Sequence, residues 1–299
     1  MLADNGVKDG KAPGHFKKRL IPFSDEMPLS KADVQKHVGN SDVAVITLGR
    51  SGGENYENGY LPFTATELEM VKNVCEVYHA AGKKVVVVLN VGGVCETASW
   101  RDYPDAILLA WHPGQEGGHA VADILKGAVN PSGKLPDSFP IRYDDVPSAS
   151  SFPGVPADNP INSFYTEGIY VGYRYYQSFN VPTAYDFGFG LSYTTFEYSN
   201  LKLSSENFTN KLTVIVSVKN TGKVAGKEVA QLYLAAPSTE MEKPVQELKA
   251  FAKTKLLEPG ESQDLKFEID APALASFQSG ISPWVADDKN YEIGIPASI

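Results

Sequence analysis

The first half of the chain alternates short, continuous apolar runs with longer segments in which apolar residues recur every three or four positions. A continuous apolar run is typical of a buried strand, and the longer spacing is typical of an amphipathic helix. The pattern therefore predicts strands at Val43–Leu48, Val85–Asn90, Ala106–Ala110 and Lys134–Ser138. It predicts helices at Lys31–His37, Thr64–Ala81, Cys95–Trp100 and Gly118–Lys126.

Capping residues mark the ends of two of these helices. Ser30 can cap the first helix, and Thr64-Ala65-Thr66-Glu67 matches a capping box, in which two side chains each bind a backbone N–H that the helix leaves free. Gly82 ends the second helix, because glycine adopts the left-handed backbone that follows a last helical turn. Since strand and helix alternate, we predict a mostly parallel sheet with helices on both faces, whose loops meet in one site at the carboxyl ends of the strands.

The second half of the chain has a different rhythm. Prolines recur through residues 146–200, which predicts a linker with little regular structure. An aromatic-rich strap, Tyr165–Tyr198, should then pack one domain on the other. Apolar and polar residues alternate afterwards, and strands are predicted at Leu212–Val218, Glu228–Leu234, Val245–Phe251, Gln263–Ile269 and Tyr291–Ile295. Short strands at this spacing indicate an immunoglobulin-like sandwich, and the missing cysteine pair favours the fibronectin type III variety.

Composition narrows the classes of ligand. A hydrophobic fraction of 42% in 299 residues predicts a globular protein with a real core. The formal net charge of −9 argues against nucleic acid, which needs clustered Lys and Arg, and leaves neutral small molecules. No apolar run approaches the roughly 20 residues of a membrane span, and Met1–Asn5 lacks the apolar core of a signal peptide. We expect a soluble protein whose compartment stays open, with Cys75 and Cys95 as buried free thiols.

The polar loop Gly49–Asn58 follows the first predicted strand and carries the reactive side chains. Its first five residues match the G-x-S-x-G pattern of a serine nucleophile elbow, but an elbow needs a helix to start at once. Here further loop residues intervene before Thr64. A triad built on Ser51 would also need an acid and a base from elsewhere in the chain, Asp102 with His112 or His119. A serine hydrolase therefore remains the weaker alternative.

Glu54 is the other candidate of this loop. It lies among glycines beside Tyr56, where partial burial would raise its pKa and let it donate a proton, whereas Glu57 should be more exposed. The alternative for either carboxylate is a solvated surface group. Elsewhere, the residues Gly127–Lys134 miss the spacing of a phosphate loop, and His112 and His119 lack acidic or thiol neighbours at ligand spacing. We therefore expect no cofactor and no metal.

Several stretches together resemble glycoside hydrolase family 3. Gly49–Tyr56 resembles the R-x-S-G-E-G segment that carries the acid/base glutamate in many bacterial members, and Asn130–Pro136 with Phe139-Pro140 is similar to the family's N-P-S-G-K-L-P-x-x-F-P turn. Other matches resemble the family's strap and its fibronectin type III-like domain: Glu167–Tyr176, Tyr185–Thr194, Val218–Gly222, Gly226–Tyr233 and Glu247–Phe251. The resemblance runs from about Val43 to the C-terminus.

The resemblance implies a β-glucosidase-like exo-enzyme that releases terminal sugars with retention. In the family an aspartate nucleophile comes from a separate (β/α)8 barrel domain, and the acid/base glutamate comes from a loop of an α/β sandwich domain. Carried over by position, Glu54 is the general acid/base, and Arg50, Tyr56 and Glu57 are candidate supporting residues. The chain departs from the family at Glu57, where aspartate is common, and at Asn58, where arginine is common.

The resemblance also implies what this chain lacks. No stretch resembles the barrel or its nucleophile motif, and the family's sandwich domain opens with a strand and a glycine-rich loop that are not seen here. We therefore expect the C-terminal part of a glycosidase, inactive alone. Its domains would be an α/β sandwich over residues 1–145, incomplete at its N-terminus, a linker and strap over 146–200, and a fibronectin type III-like sandwich over 201–299.

The expected partners are a β-linked glucoside or oligosaccharide and the missing barrel domain, with no nucleic acid or membrane; homo-oligomer formation stays open. Glucose is the default sugar, with xylose and N-acetylglucosamine as alternatives. The alternative function is a non-catalytic module that binds carbohydrate or another chain through the sheet edge and aromatic residues such as Trp100 and Trp111.

Overall fold

The computed structural model describes residues 26–50, 62–156, 161–239, 241–278, 280 and 283–296. The first part contains α1 (Lys31–Val38), β1 (Val43–Gly49), α2 (Ala65–Ala80), β2 (Lys84–Asn90), β3 (Ala106–Leu109) and α3 (Gly117–Leu125). The three strands form a parallel sheet in the order β1-β2-β3. β2 lies at its centre, which explains why Val85 and Val87 are fully buried.

The predicted helix caps are confirmed. Ser30 accepts a hydrogen bond from the amide of Asp33, and Thr64 and Glu67 form the reciprocal capping box of α2. The apolar side of α2 packs into the core of the sheet through Val71, Val74, Cys75 and Tyr78, with Leu68 partly buried. By contrast, the predicted apolar face of α3 is only partly covered, because Ala120 is exposed and Leu125 is 38% exposed.

Two predicted elements are wrong. Residues 95–97 are extended or irregular and a turn begins at 98, where the carbonyl of Thr97 accepts from the amides of Trp100 and Arg101. A single turn is too short to propagate a helix. The predicted strand Lys134–Ser138 is irregular, and a two-residue strand, β4 (Phe139–Pro140), follows it instead. The prolines at 136 and 140 cannot donate to a sheet ladder, which limits pairing in this segment.

The strap contacts both parts of the molecule. A 3-10 turn (Tyr143–Asp145), α4 (Tyr173–Ser178) and β5 (Thr183–Tyr185) follow β4, and β5 pairs antiparallel with β4. Ala184 and Tyr185 pack into the core of the parallel sheet. On the other side, the hydroxyl of Tyr173 accepts a hydrogen bond from the amide of Leu248 at 2.8 Å.

The last part is a sandwich of antiparallel sheets. Its elements are β6 (Phe196–Leu203), β7 (Lys211–Asn220), β8 (Val229–Ala235), β9 (Glu247–Lys253), β10 (Ser262–Asp270), α5 (Ala271–Leu274), β11 (Ser276–Phe277), β12 (Trp284–Val285) and β13 (Glu292–Gly294). The main sheets are β6-β7-β10 and β9-β8-β13. Val214, Val216, Leu232 and Phe267 lie in the core between them. The five predicted strands are confirmed, as is the fold class of a parallel α/β part followed by an all-β part.

The sequence pattern missed β6. Its pairing with β7 shifts register between Ser199 and Lys202, and Asn200 has a φ of 54°. A residue in the left-handed region interrupts the alternation of faces along a strand. β6 therefore lacks the strict apolar–polar alternation that predicts a strand.

A set of partly buried contacts, here called the junction, joins the two parts. It consists of Asn130, Gly133, Lys134, Gly190 and Glu228. The amine of Lys134 lies 2.9 Å from the carboxylate of Glu228 and donates to the carbonyl of Gly190 at 2.8 Å. Asn130 donates to the carbonyl of Ala225 and accepts from Ser192 and Tyr193.

Candidate functional site

The loops that follow β1, β2 and β3 leave the sheet side by side. The amide of Arg50 donates to the carbonyl of Asn90 at 3.0 Å, and the amide of Ala110 donates to the carbonyl of Leu89 at 2.8 Å. Gly92 lies against the imidazole of His112, because a Cβ on this glycine would overlap the ring. The carboxyl ends of the three strands therefore lie at one sheet edge, as predicted.

Arg50 is the first residue after β1, and its guanidinium is held from several directions. Its two terminal nitrogens donate to the two carboxylate oxygens of Glu67 at 2.7 and 2.8 Å, and one of them also donates to the carbonyl of Gly49 at 2.9 Å. The two charged side chains are only 17% and 5% exposed. A bidentate, charge-assisted pair with this little solvent is both directional and strong.

Glu67 is charged although it is buried. Burial alone would raise the pKa of its carboxyl group, but the hydrogen bonds from Arg50 and from the amide of Thr64 outweigh it, so the pKa is lowered from its ordinary value of 4.5. One carboxylate oxygen accepts from both Arg50 and the amide of Thr64, the latter at 2.7 Å. Glu67 therefore joins the residue that follows β1 to the start of α2.

A stack of two aromatic rings packs against the guanidinium of this pair. The guanidinium of Arg50 lies 5.4 Å from the ring centroid of Phe63, and Phe63 stacks on Trp100 with centroids 4.4 Å apart. Trp100 is fully buried, and its indole N–H donates to the carbonyl of Glu96 at 2.8 Å. The predicted use of Trp100 as an exposed aromatic surface for carbohydrate is therefore wrong, because its ring is part of the core.

Trp111 takes a different position at the same edge. It follows β3, is partly buried against the core, and has a φ of 51°. A bulky residue in the left-handed region is uncommon, and such residues concentrate where a site holds a side chain in a required direction. Its ring centroid lies 6.3 Å from that of Phe139. Of the two tryptophans considered for ligand binding, only Trp111 stays at the sheet edge with part of its surface open.

The remaining predicted site residues lie outside the described residues. These are Ser51, Glu54, Tyr56 and Glu57, together with Asn58. Their proposed roles stay predictions, and Arg50 is the member of the predicted set whose contacts are seen. Sequence reasoning did not identify Glu67 and Phe63 as neighbours of Arg50. The capping box identified Glu67 only as part of a helix start, and its pairing with Arg50 has no local signal.

The predicted partners of Ser51 do not come together. Asp102 is 93% exposed and lies 4.0 Å from Arg101. His119 pairs with Glu116 at 2.6 Å. The prediction that His119 lacks an acidic neighbour is therefore wrong. Within the part of the chain that the structure describes, Asp102 has no hydrogen bond or ion pair to His112 or His119. These residues provide no acid–base pair for a serine nucleophile.

The described residues do not favour a cysteine nucleophile, a metal site or a membrane span. Cys75 and Cys95 are buried free thiols, as predicted, and burial raises the pKa of each to about 11, so neither is a ready nucleophile. No group of three or more His, Cys, Asp or Glu side chains within the described ranges could hold a metal ion. None of the helices in the described ranges is long and apolar enough to cross a bilayer.

Comparison with known proteins assigns this architecture. Residues 15–173 match the glycosyl hydrolase family 3 C-terminal domain, and residues 228–299 match a fibronectin type III-like domain. The structure of β-glucosidase 3B from Thermotoga neapolitana in complex with glucose superposes with a TM-score of 0.89 and 48% identity, over 94% of this chain and 39% of the other.

Two curated relatives match over nearly the whole chain. β-Glucosidase BoGH3A from Bacteroides ovatus is 38% identical over 98% of this chain, and an exo-α-(1→6)-L-arabinopyranosidase from Bifidobacterium breve is 34% identical over 99% of it. The chain spans only 39% and 38% of the lengths of these two proteins. It corresponds to their C-terminal part, and it belongs to glycosyl hydrolase family 3.

Proposed function

We propose that the chain is the C-terminal portion of a retaining, exo-acting β-glycosidase and that Glu54 is its general acid/base. The observation that carries this proposal is the family match over residues 15–173, which includes the loop after β1 with its R-S-G-G-E sequence. The sheet-edge geometry supports it, because Arg50 and Glu67 anchor that loop where three strand ends meet.

The reaction needs two carboxyl groups. In a retaining enzyme they lie about 5–5.5 Å apart, one attacking the anomeric carbon while the other protonates the leaving oxygen and later deprotonates water. Glu54 takes the second role, and the first belongs to an aspartate of the barrel domain implied by the family resemblance. The chain alone then has one half of the pair, so we propose that it does not hydrolyse glycosides by itself.

The substrate class follows from the relatives. β-Glucosidases from several organisms match the chain, and one relative of similar identity is named for an α-linked arabinopyranoside. The prevalence of β-glucosidases supports a β-linked glucoside or oligosaccharide as substrate. The arabinopyranosidase indicates that this C-terminal part is compatible with more than one sugar specificity.

The test is reconstitution. This chain is mixed with the separately expressed remainder of β-glucosidase 3B from Thermotoga neapolitana, and hydrolysis of aryl and alkyl glucosides is measured. We expect no turnover by the chain alone and turnover by the mixture. In the mixture, Glu54→Ala should lower kcat by about 10²- to 10⁴-fold for methyl β-glucoside, whose leaving group needs a proton. For a dinitrophenyl β-glucoside the loss should be much smaller.

The matched control is Glu116→Ala, which removes an exposed carboxylate from the loop before α3. This variant should leave kcat unchanged for both substrates. Robust turnover by the purified chain alone would overturn the proposed incompleteness of the site. Equal losses on both substrates with Glu54→Ala would remove the acid/base assignment, and no loss on either would favour the non-catalytic module.

A further inference from the structure

Glu67 contacts both ends of the segment that contains Glu54. On one side its carboxylate binds the guanidinium of Arg50, the last described residue before that segment. On the other side it accepts a hydrogen bond from the amide of Thr64 at 2.7 Å, and the hydroxyl oxygen of Thr64 accepts one from the amide of Glu67 at 3.2 Å. A single buried carboxylate thus joins Arg50 to Thr64, which lie on the two sides of residues 51–61.

The two anchor points are themselves rigid. Arg50 continues the ladder between β1 and β2 through its amide, and Thr64 is the N-cap of the sixteen-residue α2. Phe63 contacts both the guanidinium of Arg50 and the buried ring of Trp100. The end of the loop next to α2 is therefore packed as well as hydrogen-bonded. Holding the ends of a loop restricts the conformations of the residues between them.

We propose that Arg50 and Glu67 form a positioning clamp that sets where the acid/base glutamate sits relative to the sheet edge; this inference rests on the proposed function of Glu54. A proton donor must lie within hydrogen-bond reach of the leaving oxygen. The clamp supplies that placement without itself contacting the sugar. Arg50 and Glu67 are therefore positioning residues and not catalytic ones.

The variant Glu67→Gln separates the clamp from the helix start. Glutamine is accepted at this position of a capping box, so the helix keeps its cap, while the charge that binds Arg50 is removed. Arg50→Lys is a second variant, because lysine keeps the positive charge but cannot make two parallel bonds to one carboxylate. Both should loosen the clamp and leave α2 in place.

Glu228→Gln is the matched control. Glu228 is also a buried glutamate, paired with Lys134 at 2.9 Å, and it also accepts a backbone amide, that of Val229, at 2.7 Å. It lies at the junction and not at the sheet edge. Glu228→Gln therefore shows how much the loss of any buried ion pair changes the measured rates and amide exchange.

Two readouts test the proposal. In the mixture with the remainder of the Thermotoga enzyme, Glu67→Gln and Arg50→Lys should lower kcat for methyl β-glucoside roughly 10- to 100-fold with little change in KM, because a small misplacement of a catalytic group costs rate. The loss for a dinitrophenyl β-glucoside should be much smaller, and Glu228→Gln should leave the ratio of the two rates unchanged. In the purified chain, Glu67→Gln should speed amide exchange in peptides covering residues 50–64, and Glu228→Gln should not.

The outcomes separate the two proposals. If Glu54→Ala leaves the ratio of the rates unchanged, the proposed function fails. In that case, and also if the two pieces do not assemble, the exchange measurement alone decides whether the clamp exists. If Glu54→Ala behaves as an acid variant but Glu67→Gln changes the ratio no more than Glu228→Gln does, the positioning role is overturned. Unchanged exchange over residues 50–64 in Glu67→Gln would overturn the clamp in either case.

Discussion

The junction and the sheet edge of this molecule both rest on a buried glutamate paired with a basic residue, yet they differ in what surrounds the pair. At the junction, Lys134 and Glu228 are 14% and 9% exposed, and the polar groups around them bind the strap and the β-sandwich. At the sheet edge, the Arg50 and Glu67 side chains are 17% and 5% exposed, and Glu67 binds Arg50 after β1 and the amide of Thr64 at the start of α2.

The difference indicates that a buried ion pair has a different role in each of the two regions. At the junction the ion pair joins elements that are far apart in sequence, so its loss should be felt as loss of stability. At the sheet edge the pair joins the residue after β1 to the start of α2, the two elements on either side of one loop. Under the proposed clamp, its loss should change the rate for a poor leaving group as well as the stability.

The strongest test of this contrast is Lys134→Met. Removal of one partner leaves the carboxylate of Glu228 buried and unpaired, which costs about 3–5 kcal/mol. Urea unfolding should show the loss in the free energy of unfolding. Lys255→Met is the control, since Lys255 and Glu261 are 59% and 34% exposed and such surface pairs contribute at most about 1 kcal/mol. Similar losses in both variants would contradict the assignment of the junction as a buried connection.

Gly190→Ala tests the tightness of the junction. A methyl group at this position would overlap the carbonyl oxygen of Gly133, whereas a methyl group at Gly133 meets nothing within 4 Å. Overpacking of this kind costs about 1–3 kcal/mol, so Gly190→Ala should be the less stable of the two variants in urea. If Gly133→Ala is as destabilising as Gly190→Ala, the close approach of the two segments is not what limits the junction.

Acid pH should weaken the sheet-edge pair. The pKa of Glu67 is lowered in the folded protein from an ordinary value of 4.5, so its charged form stabilises the fold above the unfolded-state pKa. That contribution is lost as pH falls through the lowered folded-state pKa. The difference in stability between the wild type and Glu67→Gln should therefore be present at pH 7 and shrink below about pH 4.5. A difference that does not change with pH would mean that the charge of Glu67 contributes nothing.

The smallest effect is expected at the exposed face of β1. Val45→Thr replaces a half-exposed apolar side chain, and such surface changes stay within about 0.5 kcal/mol. Val87→Thr, on the central strand where valine is fully buried, is the matched comparison and should cost more, because it buries a hydroxyl group. Equal losses in thermal unfolding would show that the side chain of Val45 is covered in solution.

Local patterns predicted most of the elements near the site. The apolar runs of β1 and β2 and the Thr64–Glu67 capping box are recognisable from residues close together in sequence, and the structure confirms them. Arg50 was already a candidate from its place in the loop. Its partner was not, because Glu67 lies 17 positions away and meets it only after α2 packs on the sheet.

The wrong predictions have the same origin. The turn that begins at 98 places Trp100 under Phe63, and this stack exists only once the loop exit is packed on the core. Likewise, β6 is recognisable through its pairing with β7, although Asn200 breaks its alternation. A periodic pattern reports which face a residue takes, and it contains no information on which distant residue will cover that face.

By itself, then, the sequence determined the α/β part followed by a β-sandwich, the family resemblance, and the candidate glutamate of the loop after β1. Tertiary structure decided that Trp100 is core, that Asp102 and the histidines do not assemble, and that Glu67 joins both ends of the loop. The physical reason is that caps, turns and periodicity depend on neighbouring residues, whereas burial and ion pairing depend on the packing of the whole fold.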